Sequence, residues 1–116
     1  MENPVNTIDK FHPEIKVVAD QLFLTHRDVS EGHMFGYPGY YVKRKLIACH
    51  YGNGLALKLP EKTVDKILSS NEIFAEPFCP MGRKMGKHWI IIFKQGDRLF
   101  QLPRYIVEEA VEFSCK

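Results

Sequence analysis

Residues 33–60, HMFGYPGYYVKRKLIACHYGNGLALKLP, decide the fold. Three short runs rich in β-branched and aromatic residues, at about 39–43, 45–51 and 54–59, are separated by two tight turns. The first turn passes through Lys43–Lys45. The second is Gly52–Asn53–Gly54, where Asn-Gly signals a hairpin because both residues tolerate positive φ. Leu55, Leu57 and Leu59 alternate with Ala56 and Lys58, so this strand buries one face and partly wets the other. Strands joined by such hairpins run antiparallel.

Helices flank this core. Upstream, Phe11, Ile15, Val18 and Leu22 recur at helical spacing, with Ala19 and His26 continuing the stripe. The spacing predicts a helix over about 12–27, opened by Pro13 and ended by Ser30-Glu31-Gly32. Downstream, PEKTVDKILSSN (60–71) carries Val64, Ile67 and Leu68 on one face and predicts a short second helix. FAEPFCPMGRKMGK (74–87) has no period and reads as a long loop with room for a short extended piece. HWIIIFK (88–94) is an almost continuous apolar run, which suits an interior strand. Gln95-Gly96-Asp97 makes a turn, Arg98–Leu102 is expected to pair back as a strand, and PRYIVEEAVEFSC (103–115) closes the chain as a helix.

The order α–β–β–β–α–β–β–α predicts a two-layer α+β domain with an antiparallel sheet of about five strands and helices on one face. The other face is expected to be open or shared, and a homodimer is the simplest way to bury it. A length of 116 residues suits a single domain spanning 1–116, with residues 1–10 expected to fray. No run approaches the roughly 20 apolar residues that span a bilayer, and the first residues lack the basic-then-apolar pattern of a secretory signal. A cytoplasmic location with no membrane partner is therefore expected. Cys49, Cys79 and Cys115 are widely spaced, so neither a disulfide framework nor a zinc pattern is readable.

Net charge is only +2, but it is uneven: −3 over 1–35, +4 over 36–70, +2 over 71–98 and −1 over 99–116. A basic middle attracts anions, nucleic acid included, or it neutralises the acidic ends.

Candidate chemistry concentrates in CPMGRKMGKHW (79–89). Its glycines do not fit a phosphate-binding loop: Lys87 is followed by His88 rather than Ser or Thr, and a strand follows rather than a helix. Cations near Cys79 could activate its thiol, yet no orienting base is assignable, and an anchoring thiol between Pro77 and Pro80 is the plainer reading. The histidines form no metal-ligand spacing; Cys49 and His50 are neighbours in a strand and point to opposite faces. No metal and no cofactor are expected. Glu108, Glu109 and Glu112 read as a solvated helix face. Lys43, Arg44 and Lys45 at one turn, with Arg83, Lys84 and Lys87 in the loop, are the candidate anion or nucleic-acid contacts. Tyr37, Tyr40, Tyr41 and Tyr51 are interleaved aromatics that either stack on bases or pack.

Several of these segments also resemble a known family. MFGYPGYYV (34–42), LALKLPEKTVDKIL (55–68), EPFCPMGRKMGKHWI (76–90) and the closing helix are together similar to the TfoX/Sxy N-terminal domain. Met34, Phe35 and Gly36 are the best marker, with Pro80, Gly82, Gly86 and Trp89 completing the pattern. The resemblance covers about residues 12–115 and implies an antiparallel sheet with flanking helices and a link to regulation of bacterial DNA uptake. The YjbR/MmcQ-like proteins, another small α+β family, are the next resemblance. The expectation is a non-enzymatic binding or regulatory module acting first through an unidentified protein partner, second through nucleic acid at 43–45 and 83–87, and last as a small enzyme using Cys79.

Overall fold

The computed structural model describes residues 11–34, 36–96 and 99–115. Three helices and six strands follow the order α1 (Pro13–Phe23), β1 (Val29–Met34), β2 (Tyr37–Val42), β3 (Lys45–Tyr51), β4 (Gly54–Lys58), α2 (Glu61–Ser69), β5 (Ala75–Pro77), β6 (Trp89–Phe93) and α3 (Arg104–Cys115). The strands form one antiparallel sheet in the spatial order β1-β2-β3-β4-β6-β5. The expected α+β architecture is present, with one strand more than about five. The fraying expected for 1–10, Phe35 of the family motif, and Asp97 and Arg98 of the expected turn and strand lie outside the described residues.

All three helices pack on one face. Ile15, Ala19 and Phe23 of α1, Val64 and Ile67 of α2, and Ile106, Val107, Ala110 and Val111 of α3 join Tyr40, Val42, Ile47, Leu55, Leu57, Ile90 and Ile92 of the sheet in the main core. α1 begins as its sequence implies: Pro13 fills the first turn, and the His12 ring accepts the Glu14 amide at 3.2 Å through Nδ1. It stops at Phe23, however, and Val29–Met34 is a strand rather than a helix end. Ser-Glu-Gly-His has little intrinsic strand preference; pairing with β2 along its whole length, Val29↔Val42 to Met34↔Tyr37, imposes the extended form.

Two turns behave differently from their sequence reading. In the β3–β4 hairpin the positive φ falls at Gly52 (58°), not on an Asn53–Gly54 pair. Gly54 instead opens β4, where a Cβ would come within 2.8 Å of Ile91 Cγ1 and 3.0 Å of the Ile92 carbonyl. The strand expected at Arg98–Leu102 does not form over 99–102. β6 already has β4 on one side and β5 on the other, so it offers no free edge. The Phe100 amide is bonded instead by Glu14 Oε2 at 3.0 Å, and Phe100 and Leu102 enter the core.

The face opposite the helices is not open at its centre. Cys49, Ala56 and Ile91 are buried there beneath Phe78 and Trp89, with Met34, Leu46, Tyr51, Met85 and Phe93 around them. Phe78 and Met85 come from the 78–88 segment, which folds back over the sheet through Phe78 N–H to the Trp89 carbonyl and Met85 N–H to the Phe78 carbonyl, both 3.3 Å. This removes the sequence-level reason for a second copy on that face. Among the described residues, no helix is long and apolar enough to cross a membrane.

Candidate functional site

Strand direction brings the two basic clusters to one end of the sheet. The Lys43–Arg44 turn joins the end of β2 to the start of β3. Ala48 of β3 pairs with Leu57 and Lys58 of β4 pairs with Trp89, so the β2–β3 turn, the end of β4 and the start of β6 share that end. The 79–87 loop, which links β5 to β6, lies there too, because Pro77 pairs with Ile90. Only β4 separates β3 from β6, so their backbones are about 10 Å apart.

The turn is built at a cost. Lys43 and Arg44 both adopt positive φ, 52° and 68°, where a side chain crowds its own backbone and glycine or asparagine is the usual occupant. In the loop, Pro80–Gly82 forms one tight helical turn with Met81 at φ 53° and Gly82 at φ 80°. Gly86 follows at φ 104° and leads the chain into Trp89. Of the two loop methionines only Met85 packs beneath; Met81 is 82% exposed.

The six candidate cations are all exposed. Two have partners. Lys43 Nζ donates to the Cys115 carbonyl at 3.1 Å, closing the C-terminal end of α3, and Lys87 Nζ lies 4.0 Å from Glu61 with both side chains largely in solvent. Among the described residues, Arg44, Lys45, Arg83 and Lys84 have no carboxylate within ion-pair distance. His88 does not join them. Its half-buried ring donates from Nδ1 to the Leu59 carbonyl at 3.0 Å and packs against Phe113.

The tyrosines do not form a stacking platform beside these cations. Tyr40 is fully buried, Tyr41 lies over Gly32, and Tyr37 and Tyr51 meet at the opposite end of β2 and β3. Cys79 is exposed and lines a groove of about 420 Å³ between α2 and the loop, with Val64, Leu68, Phe78, Lys84 and Trp89. No side chain among the described residues bonds its thiol. Burial pushes the Cys49 thiol up to about 12, as suits a core residue. Among the described residues, no three His, Cys, Asp or Glu side chains group to hold a metal.

Sequence reasoning missed a second cluster, which runs from the partly exposed side chains of Lys16, Asp20 and Glu31 to the buried Tyr40 and His50. Tyr40 donates to Asp20 Oδ1 at 2.6 Å, so its oxygen accepts from His50 Nε2–H at 2.9 Å. Lys16 then bridges Asp20 and Glu31, each at 2.7 Å. His50 is fully buried, and its Nδ1 has no hydrogen-bond partner among the described residues. Burial, helped by Lys16, lowers its pKa to about 4 against the pull of Asp20 and Glu31. Burial and the bond to Asp20 raise that of Tyr40. Burial also pulls the Lys16 pKa down, but its bonds to Asp20 and Glu31 outweigh this and raise it. The legible signal was Lys16 and Asp20 four apart on a helix. The pairing of Tyr40 with His50 requires the tertiary fold.

No family model, no curated protein and no solved structure matches this chain.

Proposed function

We propose that the chain is a non-enzymatic binding module that contacts the phosphate backbone of nucleic acid with the basic end of its sheet. The observation that carries this reading is that two sequence-distant clusters share one end of the sheet, with Arg44, Lys45, Arg83 and Lys84 exposed and, among the described residues, without a carboxylate within ion-pair distance. Cations meant to neutralise acidic helices would be paired with them. A left-handed Lys43–Arg44 turn that keeps its cations also supports the reading, because such a turn is more stable with Asn-Gly. With no aromatic platform beside the cations, the contact is with backbone charge and carries little sequence preference. The resemblance to the TfoX N-terminal domain supports a regulatory setting for it.

The test is binding of a labelled duplex by fluorescence anisotropy, using the wild type and Arg44→Ala/Lys45→Ala/Arg83→Ala/Lys84→Ala. Loss of binding in a folded variant supports the proposal; equal binding by both proteins contradicts it. Protein contact is the second reading. The groove between α2 and the loop favours it, since Leu68 is 38% exposed on its wall and Met81 stands out of the neighbouring loop. Lys84 lines this groove, so Arg44→Ala/Lys45→Ala separates the readings: binding there would be insensitive to this pair of substitutions and would be lost in Leu68→Ala.

A further inference from the structure

The two edges of the sheet are finished differently. β5 is three residues long, ends in Pro77 and has α2 packed beside it. Such features discourage further strands from adding. β1 has none of them. It runs six residues, Val-Ser-Glu-Gly-His-Met, with unbroken register against β2, and contains no proline, lysine or bulge.

Which backbone groups of β1 face outward follows from the neighbouring turn. Lys43 and Arg44 form a two-residue turn, so Val42 and Lys45 exchange hydrogen bonds across it. The backbone of Val42 is therefore turned to β3 and that of Tyr41 to β1. Tyr41 pairs with Ser30, so Ser30, Gly32 and Met34 bond inward while Val29, Glu31 and His33 present their N–H and C=O outward. The Val29 amide is taken by the His26 carbonyl at 3.1 Å. The His33 carbonyl receives the Tyr41 hydroxyl at 3.2 Å and keeps a second lone pair. Glu31 N–H, Glu31 C=O and His33 N–H remain unpaired among the described residues.

We propose that β1 pairs antiparallel with β1 of a second copy of this chain, with a two-fold axis at Gly32, joining two sheets into one. In this register Glu31 of one protomer faces His33 of its partner, and both exchange backbone bonds. Charge selects it. Shifting the axis to Glu31 sets two carboxylates directly opposite each other, which is unfavourable. Shifting it to Ser30 requires the Val29 amide, which is occupied. At Gly32 the two glycines meet with no side chain to clash. The side-chain contact is also available: Glu31 uses Oε2 for Lys16, leaving Oε1 free, and the exposed His33 ring has no partner among the described residues. The helix layers of both copies lie on the same side of the joined sheet. This inference does not depend on what the basic end binds.

Sedimentation equilibrium of the full chain from micromolar to millimolar concentration tests it, with His33→Pro and His33→Glu alongside. His33→Pro removes an outward amide that the monomer's own ladder does not use; His33→Glu sets like charges opposite each other and keeps the backbone. The expected result is a wild-type mass rising toward two chains, with both variants staying at one chain and melting as the wild type does. If His33→Pro fails to fold, His33→Glu decides. Amide exchange of the wild type supplies the second readout, with protection of Glu31 and His33 rising with concentration. A wild type that stays monomeric throughout overturns the proposal. So does a dimer untouched by His33→Glu, or one whose concentration-dependent protection lies on another element.

Discussion

Charge is handled in opposite ways at two places in this molecule. Under α1, Lys16, Asp20 and Glu31 are linked to Tyr40 and His50 in a chain that ends in the core. At the basic end of the sheet, Arg44, Lys45, Arg83 and Lys84 are exposed and, among the described residues, have no carboxylate within ion-pair distance. Paired charge that leads into buried Tyr40 and His50 fixes geometry, and removing Tyr40 or Asp20 leaves a buried polar atom without its partner. Unpaired, exposed charge contributes little to folding and is free to meet a ligand. The first cluster is thus an element of stability and the second a candidate for binding; the first mixes both signs of charge, whereas the second is made of arginine and lysine alone.

The largest effect expected from this contrast is acid sensitivity of the buried cluster. His50 has a folded pKa near 4 against 6.5 for the unfolded chain, so the unfolded state binds more protons between these values. Stability is therefore full above about pH 6.5 and falls toward pH 4, by up to about 3 kcal/mol from this group. Urea unfolding across that range measures it, and His50→Leu should flatten the limb. A slope unchanged in His50→Leu would assign the loss to other groups. Next in size, Tyr40→Phe leaves His50 Nε2–H and Asp20 without their shared partner and should cost about 1–3 kcal/mol in the same assay. A neutral result would mean that the hydroxyl does not hold the chain together.

At the other region the signs differ. Arg44→Gly relieves a side chain held at φ 68° and should raise stability by about 1 kcal/mol while weakening anion binding. Thermal melts and anisotropy read the two effects separately, and a loss of stability would contradict the strain argument. The smallest effect is that of Arg44→Ala/Lys45→Ala/Arg83→Ala/Lys84→Ala on folding. Apart from the same strain at residue 44, each substitution should change stability by less than about 0.5 kcal/mol, because no partner is lost.

Much of this architecture was legible in the chain. The alternating run at 55–59, the apolar run at 89–93 and the proline-opened helices follow local periods that the tertiary fold did not override, except that the face of β4 expected to be partly wet is covered: Ala56 is fully buried under the 78–88 segment. β1 was illegible because Ser30, Glu31 and Gly32 become a strand only through pairing with β2. The segment 99–102 misled because its apolar residues serve the core without a free strand edge to join. The basic clusters were legible as clusters, but their common location depends on strand direction across β4. His50 could be seen as an isolated histidine in a strand; its bond to Tyr40 depends on the β2–β3 register, which slips by one residue between Tyr40 and Tyr41.

The salt dependence of duplex binding tests the central claim most directly. Each phosphate neutralised releases condensed counterions, so log K falls with log salt at a slope of about −0.9 per contact. Four free cations predict a wild-type slope of about −3 to −4, with the slope nearly abolished in the four-alanine variant. A slope near zero for the wild type, or the same slope for both proteins, would contradict the assignment of the sheet's basic end as the contact.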